Sequence, residues 1–502
     1  MLFNSYIFLF LFFPLCFAGY EILKGRNVTL AKLWLIGFSF WFYGYFRISY
    51  LGIMVASILL NYGVFLCLKG SASASFGEDA SGRFAEASEK KRKRIFAAGV
   101  GANLLLLFYY KYIDFLIENI NLAFGADLPL LHILLPLGIS FFTFQQISFL
   151  TDAYRRRLWD CSFVDYLLFV SFFPQLIAGP IVTQEEMLPQ FQSIGRRKWQ
   201  EEHFCRGIFI FVLGLAKKVL VADTFGGAVD AGYGMVEQLG GTDAFLVMIF
   251  YALQLYFDFS GYCDMAMGLG GMLGFEIPMN FNSPYKAANI IEFWKRWHIT
   301  LSRFFTSHVY IPLGGNRGGR GKMYRNLLLV FLVSGVWHGA GWNYIVWGML
   351  HGILYCATRW CQEKKWELRL PRGIKMAATF LFVSAAFVFF RSESIPQALL
   401  LFERMGTGGF ALPSDALAEA FRLDELWYVM KVLGLTEITY SRYLLMAVLA
   451  PIMLGVVFFG RNVHEMAEKT KLSVVSAAVT GVLFVWCVLS LSGVGRFLYF
   501  NF

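Results

Sequence analysis

Apolar runs long enough to cross a lipid bilayer recur along this whole sequence, and they restrict the chain to a membrane fold. A helix of about 20 residues spans the roughly 30 Å hydrocarbon core. Of the 502 residues, 57% are hydrophobic and 16% are charged, whereas a soluble domain carries about a quarter charged residues. One soluble globule could not bury this much apolar surface. The sequence therefore predicts an all-α polytopic integral membrane protein.

We predict about ten full crossings and two re-entrant or broken hairpins around a central cavity. One hairpin covers 163–182, where Pro174 and Pro180 interrupt the apolar run; the other covers 326–357 and breaks at the polar sequence that begins at His338. Irregular backbone at membrane depth must be buried in protein or line a cavity, so His338 is expected beside that cavity. The full crossings are predicted at 2–20, 31–46, 48–68, 95–117, 131–150, 205–222, 244–270, 374–390, 442–460 and 473–494.

The formal net charge of +10 comes from Lys and Arg in short loops between the apolar runs. This distribution follows the positive-inside rule and predicts that both termini face outside. It favours membrane lipids with anionic headgroups as partners and excludes nucleic acid. The largest outside segment is 391–441, whose mixed charged and apolar residues predict interfacial helices and a docking surface for an extracytoplasmic partner.

The histidine and cysteine spacings predict no metal site. No two of the seven histidines are three or four residues apart, so the paired-histidine motifs of membrane desaturases and zinc proteases are absent. The eight cysteines form no CxxC pair and predict packing roles. The histidines are His132, His203, His298, His308, His338, His351 and His464.

His338 is the strongest candidate for chemistry, because no charged residue occurs from Ser334 to Ala340. Burial disfavours imidazolium, so a neutral ring could accept a proton from a hydroxyl nucleophile. A structural histidine bonded to a helix carbonyl is the alternative. A Ser334–His338 hydrolase pair can also be drawn, but no G-x-S-x-G motif surrounds the serine.

The predicted crossing at 244–270 carries four polar residues: Gln254, Asp258, Ser260 and Asp264. Acidic groups at membrane depth are costly and are functional by default. They could orient a catalytic group, couple ions in a transporter, or pair with a basic loop near the cytoplasmic end.

A glycine-rich basic segment at 312–322 invites comparison with a P-loop, but Asn316 and Met323 occupy positions where a Walker motif needs other residues. Its amides with Arg317, Arg320 and Lys322 could hold the phosphates of coenzyme A, or the segment could be a basic membrane-surface loop. The preceding segment 292–303 is typical of an interfacial helix. Arg296, His298 and Arg303 on it are donor-pocket candidates or ordinary interface residues.

Several linked motifs resemble the membrane-bound O-acyltransferases, specifically the branch that O-acetylates bacterial exopolysaccharides such as alginate. The resemblance covers nearly the whole chain and implies one membrane domain over 1–502. The motifs are Tyr256–Tyr262 with Asp264, Asn280–Tyr285, Phe293–His298, Tyr310–Arg317 and Val336–Ala340, which includes Trp337. The sequence Thr306–His308 departs from the acidic and aromatic pattern of the branch.

The resemblance implies that His338 is the catalytic histidine and His298 the second characteristic histidine, with Trp337 supporting them. It also implies a bacterial inner-membrane enzyme with no bound cofactor and acetyl-CoA as the cytoplasmic acyl donor. The acetyl group would pass outward to a periplasmic polysaccharide acetyltransferase. His338 would act as general base or transient acyl relay, while Asp258 and Asp264 orient polar groups.

Two other functions remain open at this point. The D-alanyl branch of the same family works on teichoic acids with an acyl carrier protein, but 391–441 and the ending 497–502 look more like the polysaccharide branch. A transporter would use Asp258 and Asp264 as coupling groups.

Overall fold

A computed structural model describes residues 1–73, 82–158, 160–196, 200–366, 369–493 and 498, so the ending 497–502 lies outside the described residues apart from Leu498. The described residues are mainly helical and contain no β-strand, which confirms the all-α polytopic class. Within them, five helices are long and apolar enough to cross a membrane, and two shorter apolar helices accompany them. The count of ten crossings and the single-domain organisation stay predictions. The long spans are Ile48–Ser71, Ser88–Phe124, Gly241–Met272, Arg372–Arg391 and Ser441–Phe459, and the shorter helices are Val28–Gly44 and Val474–Leu489.

The chain forms two compact units, of which unit 1 comprises Met1–Gly207 and Leu269–Pro278. Amide side chains on three of its helices form a buried cluster: Asn61 donates to Asn103 across 3.1 Å and to Gln146 across 2.6 Å. Such interhelical hydrogen bonds hold apolar helices in register, since lipid offers no competing partner. The helices are α1 (Phe13–Lys24), α2 (Val28–Gly44), α3 (Ile48–Ser73), α4 (Gly82–Phe124), α5 (Ile139–Tyr154), α6 (Phe163–Ser171), α7 (Phe173–Leu176) and α8 (Gln184–Gln192).

The predicted break in 163–182 is confirmed. Helix α6 ends at Ser171, and Pro174 lies in the first turn of α7, where its missing N–H leaves no helical hydrogen bond unmade. Residues 178–183 are non-helical before α8 begins.

Unit 2 comprises Ile208–Gly268 and Met279–Phe502. Helix α9 (Glu201–Ala216) continues through a π-helical turn, Lys217–Ala222, into α10 (Asp223–Gly234), so the helical stretch extends beyond the predicted crossing at 205–222. The helices that follow α9 (Glu201–Ala216) are α10 (Asp223–Gly234), α11 (Gly241–Met272), α12 (Ile290–Trp294), α13 (Ile299–Phe305), α14 (Arg320–His338), α15 (Trp342–Glu363), α16 (Arg372–Arg391), α17 (Ile395–Thr407), α18 (Asp415–Glu419), α19 (Asp424–Val432), α20 (Ser441–Phe459), α21 (Val463–Lys469) and α22 (Val474–Leu489).

The second predicted hairpin is confirmed as α14 and α15, which meet at an extended turn. Gly339 and Gly341 have φ of −164° and −169°, so the helix stops immediately after His338. The two helices touch through glycines. A Cβ added at Gly348 would lie 2.5 Å from the Phe331 carbonyl oxygen and 3.0 Å from the Gly335 Cα. This close approach places the end of α14 against α15 and determines which α15 residues face His338.

Segment 391–441 contains the three short helices α17, α18 and α19. Helix α17 begins at a Ser394 cap and buries Ala398 and Leu401 on one face, while Leu399 on the other face is exposed. The segment therefore contains short helices, whereas their interfacial character and their extracytoplasmic position stay predictions.

Candidate active site

His338 ends α14 with its imidazole in a defined tautomer. Its Nδ1 lies 2.7 Å from the carbonyl oxygen of Ser334, one turn earlier. A carbonyl only accepts hydrogen bonds, so Nδ1 must carry the proton and Nε2 must carry the lone pair. The alternative to a catalytic role was a structural histidine bonded to a helix carbonyl, and that bond is present. Because the bond uses Nδ1, it leaves Nε2 basic.

Aromatic rings surround this imidazole. The ring centroids of Trp337, Trp347 and Phe390 lie 4.8, 4.7 and 5.4 Å from that of His338, all edge-on. Only 3% of His338 is exposed. Burial among apolar rings disfavours the charged form of the imidazole.

His298 is fully buried and adopts a left-handed backbone conformation, with φ 46° and ψ 53°, immediately before α13. Its Nδ1 lies 3.2 Å from Oδ1 of Asn280, which also accepts from the backbone N–H and the hydroxyl of Thr300. The backbone N–H identifies that Asn280 atom as oxygen, so His298 Nδ1 donates to it and Nε2 again carries the lone pair. A non-glycine residue in this conformation is uncommon, and such strain occurs most often at functional sites.

The structure brings His298, Trp337 and His338 into one group, which we call the histidine cluster. The Trp337 ring neighbours both imidazoles, with its centroid 6.2 Å from that of His298 and 4.8 Å from that of His338. Burial lowers the pKa of His298 well below its usual value, and the neighbouring His338 lowers it further. His298 is therefore neutral at physiological pH.

Sequence reasoning did not select His351, although it is fully buried beside the cluster. Its ring lies 5.0 Å from that of Trp347, which also contacts His338. Trp294 donates its indole N–H to His351 Nδ1 across 3.3 Å. His351 could have been selected from the sequence because it is a titratable residue in the second arm of the predicted hairpin, and the first arm carries His338.

A cavity of about 630 Å³ opens beside α14. Its polar rim includes Lys295, Arg303 and Arg359, which are exposed. Its other end is apolar and reaches Phe331 and Ser334, which are 6% and 3% exposed. The buried end therefore lies next to the residue whose carbonyl holds His338.

Of the basic residues predicted to bind the donor, Arg303 lines this cavity. Arg296 donates to Glu292 and to the Asn282 carbonyl, and Arg320 pairs with Glu363 at 3.5 Å. Arg317 and Lys322 also do not line it. Lys295 and Arg359 were missed because only the fold brings α12 and α15 to the same opening.

Two acidic residues of α11, Asp258 and Asp264, form buried ion pairs with two consecutive lysines on the π-helical turn, and we call this group the ion-pair cluster. Lys217 lies 2.6 Å from Asp264 and 3.3 Å from the Ser260 hydroxyl. Lys218 lies 2.7 Å from Asp258 and 2.7 Å from Asp223. Two lysines inside the predicted crossing at 205–222 could have indicated these ion pairs from the sequence, because charged residues in a membrane helix need partners.

Helices α9 and α11 approach closely enough for these ion pairs because each has a glycine at the point where they cross, Gly214 on α9 and Gly261 on α11. A Cβ at Gly214 would lie 2.7 Å from the Gly261 carbonyl oxygen. Gln254 packs farther along α11 against Gly226. None of the four polar α11 residues lines the cavity. In the described part of the chain, no group of three or more His, Cys, Asp or Glu could hold a metal ion.

Comparison with known proteins assigns the chain to a family. The model of the membrane-bound O-acyltransferase family matches residues 130–363. The peptidoglycan O-acetyltransferase of Helicobacter pylori is 38% identical over an alignment of 538 residues that covers 100% of this chain and 98% of that protein. The probable alginate O-acetylase AlgI of Pseudomonas putida is 35% identical, with 100% of both chains covered. The teichoic acid D-alanyltransferase of Streptococcus thermophilus is 27% identical over 59% of this chain and 70% of that protein. The chain thus belongs to the membrane-bound O-acyltransferase family and is a membrane-embedded acyltransferase.

Proposed function

We propose that this protein takes an acetyl group from cytoplasmic acetyl-CoA and passes it across the membrane for O-acetylation of an exopolysaccharide such as alginate, with His338 as the central catalytic group. One observation carries the proposal. The cavity has a cationic exposed rim and an apolar buried end at Ser334, whose carbonyl orients the His338 imidazole.

The cavity suits a long donor with a charged head and a neutral arm. Coenzyme A carries phosphates, which guanidinium and ammonium groups such as Arg303, Arg359 and Lys295 bind well. The pantetheine arm would extend along the apolar wall, and the thioester would lie at the buried end. A volume of about 630 Å³ falls within the range of small-molecule sites.

The basic Nε2 of His338 supports transfer by general base catalysis. An acceptor hydroxyl oxygen would attack the thioester carbonyl carbon while its proton moves to Nε2. The carbon–sulfur bond then breaks, and the leaving thiolate takes the proton from the imidazolium. In the relay version, Nε2 itself attacks the carbonyl carbon, and the carbon–sulfur bond breaks to release the coenzyme A thiolate. The acceptor hydroxyl oxygen then attacks the acyl-imidazole, the acyl–Nε2 bond breaks, and the hydroxyl proton passes to the thiolate. His298, held by Asn280, would shape or assist the donor side.

We infer the class of acceptor from the names of two relatives, a peptidoglycan O-acetyltransferase and a probable alginate O-acetylase. In our proposal the protein lies in a bacterial inner membrane with both termini outside. Segment 391–441 would then face the periplasm and provide the docking surface for a periplasmic polysaccharide acetyltransferase.

Donor recognition can be tested with purified protein in liposomes and two acetyl donors. Arg303→Gln and Arg359→Gln should raise the KM for acetyl-CoA several-fold and leave the KM for acetyl-pantetheine, which lacks phosphates, unchanged. Arg320→Gln is the matched control, because Arg320 is an exposed arginine outside the cavity. Equal effects on both donors, or none, would contradict the proposed cavity role.

The base and relay versions differ in single turnover without acceptor. Acetyl-CoA labelled in the acetyl group should leave the label on wild-type protein, and none on His338→Ala, if His338 is a relay. If no label is attached to the wild-type protein, His338 acts as a general base.

A second candidate function, D-alanyl transfer from a carrier protein to teichoic acid, has the 27% identity to the Streptococcus enzyme in its favour. Transfer from a D-alanyl carrier protein, with none from acetyl-CoA, would select it.

A further inference from the structure

Large side chains close the buried end of the cavity. Trp294, Phe331 and Phe305 line it there and are 8%, 6% and 4% exposed. The centroids of the Trp294 and Phe331 rings are 5.3 Å apart, edge to face. A ligand entering from the cationic rim would therefore meet an aromatic wall.

A buried hydroxyl lies at the same end. Ser334 lines the cavity and is 3% exposed, and its Oγ has no hydrogen-bond partner among the described residues. An unsatisfied buried hydroxyl is costly, so a ligand atom that accepts its hydrogen bond is expected. A carbonyl oxygen next to an apolar group fits this position, because the rest of the lining there is apolar.

The wall is held in place by a hydrogen bond. The Trp294 indole N–H donates to Nδ1 of the fully buried His351 across 3.3 Å. The Ser302 hydroxyl donates to the Trp294 carbonyl across 3.3 Å and ties α13 to the end of α12. The indole therefore cannot swing aside without breaking a buried hydrogen bond.

We propose that the buried end of this cavity is a pocket for a short acyl group, in which Trp294 sets the length limit. The Ser334 hydroxyl donates to the acyl carbonyl, and the acyl methyl faces the Trp294–Phe331 wall. His351 is a positioning residue that acts through Trp294. This inference rests on the proposed function, since it requires an acyl thioester in the cavity.

A fixed wall discriminates by size. One extra methylene in a tight apolar pocket typically changes kcat/KM by about 10–200-fold. Wild-type protein should therefore prefer acetyl-CoA over propionyl-CoA by a factor in this range, and should use butyryl-CoA least well.

The test measures kcat/KM for acetyl-, propionyl- and butyryl-CoA in liposomes. Trp294→Leu should lower the acetyl-to-propionyl ratio by about 10-fold or more. Trp294→Phe keeps an aromatic ring but removes the indole N–H, and it should lower the ratio less. His351→Leu removes the acceptor of the indole N–H and should also lower the ratio. Trp360→Leu on α15 is the control, because Trp360 is 43% exposed and outside the cavity, and it should keep the wild-type ratio.

The Ser334 hydroxyl has a separate signature. Ser334→Ala should lower kcat/KM for all three donors by a similar factor of about 10 and leave their ratios unchanged. Ser334→Thr, which keeps the hydroxyl, should restore part of the loss.

The outcomes separate this inference from the proposed function. Wild-type protein that transfers no acetyl group from acetyl-CoA refutes the proposed function. Wild-type protein that transfers acetyl, with Trp294→Leu and Trp294→Phe both folded and both retaining the wild-type ratio, refutes the length limit alone.

Discussion

The histidine cluster and the ion-pair cluster are both buried in unit 2, and both were candidate sites in the sequence, yet their chemistry differs. Asp258 and Asp264 of α11 each contact a lysine, and Lys218 bridges Asp258 and Asp223 at 2.7 Å each. The backbone N–H of Leu498 adds a further bond to Asp258 at 3.1 Å. The two histidines instead use Nδ1 to donate to oxygens and keep lone pairs on Nε2.

The difference follows from the cost of burial. Charged side chains are buried stably only when they are paired with opposite charges. The pairing occupies their hydrogen-bonding atoms, so these atoms are no longer available for chemistry. An imidazole can be buried as a neutral ring and remain a base. We therefore expect the ion-pair cluster to govern stability and the histidine cluster to govern turnover.

The largest expected effect tests the histidine side of this comparison. His338→Ala should lower acetyl transfer by about 10²–10⁴-fold, the usual contribution of a general base, while the protein still inserts and folds. Turnover and folded yield after solubilisation would be measured together. His203→Ala, on an exposed part of α9, is the control. Full turnover in His338→Ala would refute the assignment.

The next effect tests the ion-pair side. Asp264→Asn leaves Lys217 buried without its carboxylate, which should cost about 3–5 kcal/mol and lower the unfolding temperature in detergent. The double variant Lys217→Met with Asp264→Leu removes both charges and should recover much of the loss. A variant that is as stable as wild type but inactive would instead place Asp264 in catalysis.

A smaller effect tests the neutral state of His298. Its pKa is lowered in the folded protein, so below pH about 6.5 the unfolded chain binds a proton that the folded chain does not. Stability should fall by up to about 1.4 kcal/mol per pH unit as the pH drops. His298→Asn, which tolerates the left-handed backbone, should show a shallower decline in unfolding temperature from pH 7 to 5. His203→Asn should keep the wild-type slope, and equal slopes in all three proteins would contradict a neutral His298.

The smallest expected effect concerns the support of His298. Thr300→Val removes the hydroxyl bond to Asn280, 2.9 Å in length, and retains the backbone bond. The loss should be about 0.5–1.5 kcal/mol in stability, with turnover reduced by less than about 10-fold. Thr300→Ser should behave like wild type. A Thr300→Val variant as impaired as His338→Ala would show that Asn280 acts more directly.

Local sequence signals determined the class and the outline of this protein. Hydropathy depends on composition within one segment, so the membrane helices could be predicted without knowing their neighbours. The break in the second hairpin was equally local, since glycines and polar residues follow His338 directly. The linked motifs added the family and the two histidines.

Only the tertiary structure decided which helix faces meet. The contact between Gly335 and Gly348 places α15 against α14 and brings Trp347 and His351 to the histidine cluster. The crossing at Gly214 and Gly261 turns the α11 acids into ion pairs. Residues far apart in sequence, such as Arg303 and Arg359, reach one cavity for the same reason. Side-chain pairing between helices depends on the distance and rotation of their axes, and neither quantity is encoded in any single segment.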